Sequence, residues 1–370
     1  MRARWREPRT GRHEVRQRLR LGYVMNQFGG REVWLRRRPV GMPTPDCFEV
    51  VFREQQPQQG QVVVKNLYCS VDPYMRGRMN DGPSYVPPFA MDQVMEGPAV
   101  GEVVWAEPSS PLRVGALVVH NLGWREYATA EARALSPVDG IAGVSPSAFL
   151  GALGMPGLTA YVGLLDVAGM RPGETVYVSG GAGAVGGMVG QLAKARGAGL
   201  VIGSAGSDVK VDHMRRNLGF DEAFNYHSGD LAELLRGASH GKGVDVYFDN
   251  VGGDHLEAAI SALRVRGRVA MCGAISQYNA VSPPPGPRNL ALVIGKRLRL
   301  EGFLVGDHMD RRRTFIDEVA PMVADSRLLA DETVVDGIEH MAAAFIAMLN
   351  GANVGKMVVR MTAPGEPTAI

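Results

Sequence analysis

The sequence predicts two domains: a mostly antiparallel, barrel-like β domain, then an α/β domain built on a doubly wound parallel sheet. Three observations carry this reading. The 370 residues exceed the size at which a single hydrophobic core is usual. From Met25 to about Ala134, short apolar runs are punctuated by Gly and Pro, with no long amphipathic helix among them. From about Ser145 onward, strand-like and helix-like segments alternate, a pattern that requires parallel strands joined by covering helices.

Taken in order, residues 1–24 read as an extension and residues 25–145 as the β domain, with Val62–Leu67, Val100–Ala106 and Ala116–His120 as clear strands. Residues 146–314 read as the α/β domain. Its strands are Glu174–Ser179, Leu200–Ser204, Ala223–Tyr226, Val244–Asp249, Arg268–Cys272 and Leu298–Leu304. Helices fall at Gly187–Ala195, Val211–Asn217, Leu231–Arg236 and Leu256–Leu263. About six strands is the complement of a complete Rossmann sheet. Residues 315–363 hold helical segments and a last strand, Lys356–Met361, which is expected to rejoin the first domain.

Charge narrows the partners. The formal net charge is +2, but residues 1–20 contain eight Arg against Glu7 and Glu14, a local +6 that leaves −4 for the rest. The body therefore has no basic surplus that would favour nucleic acid. The Arg-rich start lacks an apolar stretch, so it is no secretory signal. It is poor in Ser for a mitochondrial presequence, and reads as a disordered tail or an upstream start codon taken in error. No apolar run is long enough to span a bilayer. Cys47, Cys69 and Cys272 are too far apart for a C-x-x-C pair and suit a reducing cytoplasm.

The strongest local signal is TVYVSGGAGAVGGMVGQLAKARG, Thr175 to Gly197. It contains Gly181-x-Gly183-x-x-Gly186, with Ala184 and Val185 inside the motif, between a strand and a helix. In that context one glycine makes the tight turn, the next lets a pyrophosphate approach the backbone, and the third lets helix and strand pack closely. The helix N-terminus then offers free N–H groups to phosphate. The second strand ends in Ala205-Gly206-Ser207, without the carboxylate that grips the ribose 2′-OH of NAD, and Lys210 follows on the next helix. That combination points to NADPH.

Neither a Cys, His and Glu ligand set nor a four-cysteine lobe is visible, so no zinc site is expected. Hydride transfer must then lean on hydrogen-bond donors. Tyrosine, protonated up to about pH 10, suits a developing enolate.

Several longer motifs carry a family resemblance. NLYCSVDPYMRGRM (Asn66–Met79), GMPGLTAYVGLL (Gly154–Leu165), FDNVGG (Phe248–Gly253), CGAISQYN (Cys272–Asn279) and GANVGKMVV (Gly351–Val359) occur in this order. The stretch from about Asn26 to Arg360 resembles the zinc-free medium-chain dehydrogenase/reductases of the prostaglandin reductase and leukotriene B4 12-hydroxydehydrogenase branch. It is similar also to bacterial curcumin reductase and plant alkenal double-bond reductases.

The resemblance implies a GroES-like catalytic domain joined to the Rossmann domain, a homodimer, and NADPH. It implies Lys210 at the 2′-phosphate, with Tyr226 and Asn250 lining the cofactor. Cys272, Gly273, Ala274, Ile275, Ser276 and Tyr278 would pass beside the nicotinamide. Phe303, Leu304, Val305 and Asn353 would close the site, and Tyr74 and Tyr278 would face the substrate. Cys272 reads as a small structural residue rather than a nucleophile. Glu96 departs from the basic or neutral residue frequent in the family, and with loop 282–289 it leaves the substrate open.

The expected activity is NADPH-dependent reduction of the C=C bond of small enones or enals. A quinone oxidoreductase is the enzymatic alternative, and a non-catalytic NADPH- or RNA-binding relative is the alternative from another class.

Overall fold

The computed structural model describes residues 27–361, so the extension expected over residues 1–24 lies outside the described residues. Among these residues, eight strands come first: β1 (Phe28–Leu35), β2 (Phe48–Gln55), β3 (Gln61–Ser70), β4 (Gln93–Val94), β5 (Ala99–Ala106), β6 (Leu117–His120), β7 (Tyr127–Glu131) and β8 (Ser136–Pro137). The next six are β9 (Thr175–Ser179), β10 (Leu200–Ala205), β11 (Glu222–Asn225), β12 (Val244–Asp249), β13 (Leu263–Met271) and β14 (Arg299–Gly302). The last two are β15 (Glu332–Asp336) and β16 (Lys356–Arg360).

The first domain is mostly antiparallel. A ribbon β2-β1-β4 stands beside a larger sheet in the order β15-β16-β3-β5-β6-β8, with β7 also paired to β3. Strand β3 is longer than its sequence pattern predicts because it is buried along almost its whole length. It pairs with β5, with β7, and at its end with β16, where Tyr68–Ser70 face Val358–Arg360. The C-terminal strand thus returns to the first sheet.

Phe315, Val319, Val323 and Leu328 belong to the core formed with Val176, Val178 and Phe248. The helix Arg312–Ala324 therefore stays with the α/β domain, because its apolar face is buried there. The next strand, β15, pairs with β16 in the first sheet.

The second sheet is wholly parallel, in the order β11-β10-β9-β12-β13-β14. This is the 3-2-1-4-5-6 arrangement, which reverses between β9 and β12 and opens a crevice at their C-terminal ends. Strand β9 is buried on both faces, as a covered parallel strand must be. Its Tyr177 stacks on Tyr247 of β12 with ring centroids 4.8 Å apart. Both hydroxyls find partners: Tyr177 with Ser204 Oγ at 2.9 Å, and Tyr247 donating to Asp249 Oδ1 at 2.7 Å. Such a stacked pair adds about 0.5–1.5 kcal/mol beyond burial, and here it locks the two central strands in register.

Candidate active site

The glycine-rich turn after β9 is built around two positions where only glycine fits. Gly180 has φ of +61°, a left-handed conformation that turns the chain sharply. Gly186 lies on the first turn of the helix Ala184–Ala195, where a Cβ would sit 2.2 Å from the Gly180 carbonyl oxygen. That helix starts earlier than the expected Gly187, because the glycines at its start blur the apolar period. Its first residues, Ala184, Val185 and Gly186, line the cleft with Gly183, the N-cap. Gly181 is buried in the turn. A Cβ there would lie 2.5 Å from Met214 Sδ, so Gly181 serves packing between the turn and the helix Asp208–Arg216.

The cleft has a volume of about 1960 Å³, roughly twice the upper end for a single small ligand, and so has room for a dinucleotide and a substrate. Lys210, Tyr226, Asn250, Cys272, Gly273, Ile275, Ser276, Tyr278, Phe303, Leu304, Val305, Asn353 and Tyr74 all line it. The Ala274 backbone N–H donates to the Tyr278 hydroxyl oxygen at 3.4 Å.

Each residue is held by an identifiable device. The Asn250 side chain donates to Ser179 O at 2.8 Å, joining the ends of β12 and β9. Asp249 receives the N–H groups of Val251 and Gly252 at 3.0 and 2.7 Å, shaping the turn after β12, and burial raises its pKa. Asn353 reaches the site because its segment docks on the glycine-rich turn, with Gly355 N–H donating to Ala182 O at 2.8 Å. Lys210 is half-buried, and desolvation lowers its pKa. Its ammonium donates to Gly351 O at 2.7 Å, and no carboxylate pairs with it among the described residues. Asp208, the nearest acid after β10, accepts from the Asn225 amide at 2.9 Å. The residues therefore fit a phosphorylated dinucleotide: a glycine cradle, a helix N-terminus, and a cation whose missing counter-charge a 2′-phosphate would supply.

Tyrosines from both domains also line the cleft. Tyr74 opens the short helix Tyr74–Arg78, and burial, then Asp72, raises its pKa. Tyr278 follows the single turn Ile275–Gln277, and its pKa is also raised chiefly by burial. Both stay protonated at neutral pH and can donate to a developing negative charge. Burial pushes the Cys272 thiol up to about 12, which excludes a thiolate nucleophile there. Among the described residues, no three His, Cys, Asp or Glu side chains come together as a metal site.

Sequence reasoning missed Tyr85, which also lines the cleft and interacts electrostatically with Tyr74, Tyr278 and Cys272. Its only signal is an isolated aromatic within GPSYVPP, where no helix or strand period marks a face. It missed Lys356 as well. This ammonium is 3% exposed and donates to Val71 O at 2.8 Å and Met357 O at 2.7 Å, with Asp72 Oδ1 at 3.2 Å. It fixes the turn that leads into Tyr74. Glu96, the departure noted above, lies on the cleft wall 3.9 Å from Arg125.

Two histidines on the cleft wall are buried and neutral. His120 accepts from Leu122 N–H at 3.0 Å, and burial lowers both His120 and His255 from 6.5 to about 4. The unfolded chain binds more protons between those values, so stability present above pH 6.5 falls as pH drops toward 4. Each unit of pKa difference is worth about 1.4 kcal/mol, so the pair makes acidification costly. The melting temperature is expected to fall steadily from pH 7 to pH 4.5. His120→Asn, which keeps an acceptor for Leu122, is expected to flatten that slope. A melting temperature independent of pH over this range would refute the assignment.

Comparison with known proteins agrees with this geometry. The family described as N-terminal domain of oxidoreductase matches residues 31–138, and the family described as zinc-binding dehydrogenase matches residues 184–321. The NADPH-dependent curcumin reductase of Escherichia coli is 40% identical over 88% of this chain and 95% of its own length. Prostaglandin reductase 1 of Mus musculus is 42% identical over 88% of this chain and 97% of its own. The crystal structure of CurA from Vibrio vulnificus in complex with NADPH superposes with a TM-score of 0.84 at 39% identity, covering 90% of this chain and 100% of that one. With the 3-2-1-4-5-6 sheet, the glycine cradle and the returning C-terminal strand, these relationships establish that the chain belongs to the zinc-free medium-chain dehydrogenase/reductases, in the branch of the prostaglandin and curcumin reductases.

Proposed function

We propose that this protein is an NADPH-dependent reductase of the C=C bond of small α,β-unsaturated aldehydes and ketones. The observation that carries the reading is that Tyr74 and Tyr278, one from each domain, line a single cleft at the C-terminal ends of the parallel strands. The names of the curcumin and prostaglandin reductases support it. When bound, NADPH supplies the hydride that reaches the β-carbon. The chain does the rest. Tyr278 receives the Ala274 N–H on its oxygen, which leaves its own proton free to donate to the substrate carbonyl as negative charge builds there. Tyr74 orients the substrate from the opposite domain, and the α-carbon takes its proton from solvent. The test is NADPH oxidation measured against enals, enones, quinones and simple alcohols. Turnover confined to quinones would refute the proposal.

Lys210 is proposed to bind the 2′-phosphate. Loss of a charge-assisted contact costs about 1.5–3 kcal/mol, so Lys210→Ala is expected to weaken NADPH roughly 10–100-fold and NADH hardly at all. Equal losses for both cofactors, measured by fluorescence titration, would refute it.

The chain is further proposed to act in the cytoplasm as a homodimer. Its free cysteines suit a reducing compartment. No helix among the described residues is long and apolar enough to cross a membrane. Strand β14 is an open edge of the parallel sheet, and Leu290 and Ile294 beside it are exposed, as an edge awaiting a second copy would be.

A further inference from the structure

We propose that Arg76 and Asn279 form a clamp between the two domains that sets the placement of Tyr278 relative to Tyr74, which makes both of them positioning residues for the reduction. The inference rests on the proposed role of Tyr278 as the hydrogen-bond donor.

Arg76 is 2% exposed, yet no carboxylate pairs with it among the described residues. Neutral oxygens satisfy its guanidinium instead. Nε donates to Gly41 O and Asn279 Oδ1, both at 3.1 Å. Nη2 donates to Gly41 O at 2.8 Å and Pro39 O at 3.4 Å, and Nη1 to Asn80 Oδ1 at 2.7 Å. A desolvated cation without a counter-charge is a costly way to fill space, and an apolar side chain would pack more cheaply. What the planar fork provides is direction: its donors fix several segments at set angles.

The segments it joins matter. Arg76 lies two residues after Tyr74 on the same short helix, and Asn279 directly follows Tyr278. Asn279 is the partner contributed by the α/β domain; the others come from residues 39–80. The same contact zone is closely packed, since a Cβ on Gly41 would lie 3.6 Å from Val281 Cγ2 and 3.8 Å from Asn279 O. On the side toward the parallel sheet, the Tyr278 loop is tied by Ser276 Oγ to Val251 O at 2.5 Å. Arg76 ties it from the opposite side. A tyrosine held from one side only can drift, and small misplacements at a reacting centre are expensive.

Because Arg76 is buried, the test uses Asn279. Asn279→Ala is expected to lower kcat on an enone about tenfold, with the NADPH Kd from fluorescence titration and the melting temperature nearly unchanged. Asn279→Asp keeps an acceptor for Arg76 and is expected to recover most of the loss. In a Tyr278→Phe background, Asn279→Ala is expected to add little, because its effect passes through the tyrosine. The clamp is overturned if Asn279→Ala leaves kcat unchanged, if its loss is fully additive with Tyr278→Phe, or if Asn279→Asp fails to recover it. If Tyr278→Phe alone leaves kcat intact, the donor role fails first. If Tyr278→Phe lowers kcat and Asn279→Ala does not, the clamp alone fails.

Discussion

Tyr278→Phe is expected to lower kcat on an enone about 10²–10³-fold, the usual cost of one oxyanion donor, while NADPH affinity stays nearly unchanged. The aromatic ring would remain, so packing of the loop is kept, and the hydroxyl is lost together with the acceptor for the Ala274 N–H. Burial holds the hydroxyl protonated, and its oxygen already receives the Ala274 N–H, so the missing proton is the one aimed at substrate. Tyr74→Phe is expected to act mainly on KM, because a group that binds substrate and transition state equally shows its loss there. Steady-state kinetics on one enone, with a separate NADPH titration, separate these effects. A near-normal kcat for Tyr278→Phe beside a large loss for Tyr74→Phe would reverse the roles. If neither variant slows turnover, the charge is carried by another donor, and Tyr85 on the same wall becomes the first to replace.

Lys356→Met is expected to destabilise the fold by about 3–5 kcal/mol, the usual cost of breaking a buried ion pair from one side. The substitution keeps the length and removes the charge. Asp72, which also receives the Ser70 hydroxyl, would keep its charge without the cation. Glu332 would lose a nearby positive charge as well; its pKa is already raised by burial, and one of its carboxylate oxygens is buried without a partner. The carbonyl of Val71 would lose the ammonium as its donor, and that of Met357 would keep only the Val71 N–H at 3.4 Å. The check is the shift in the urea midpoint at constant slope. Adding Asp72→Asn is expected to restore part of the loss by removing the stranded charge. A midpoint for Lys356→Met within experimental error of the parent would show that the pair contributes nothing.

Local sequence was enough wherever the physics is local. The glycine-rich turn is written in adjacent residues, because strand, turn and helix N-terminus must follow one another for a phosphate to be bound. The absence of a carboxylate after β10, and Lys210 on the next helix, are equally short-range. The alternation that announced a parallel sheet follows from burial on both faces, which leaves apolar runs such as β9. The resemblance of longer motifs singled out Tyr74 and Tyr278, and both line the cleft.

What only the tertiary structure decided was long-range. Gly181 matches the motif, yet its place is taken up by packing against Met214, more than thirty residues away. The helix Arg312–Ala324 buries its apolar face on the α/β core, and an amphipathic pattern says that a face is buried but not against what. Tyr85 carries no period at all. Arg76 and Asn279, 203 positions apart, meet only where the two domains touch, and Lys356 and Asp72 come together only when β16 pairs with β3. Spacing along a chain encodes the faces of helices and strands; the hydrogen bonds of a buried cation are decided by which distant segments fold onto it.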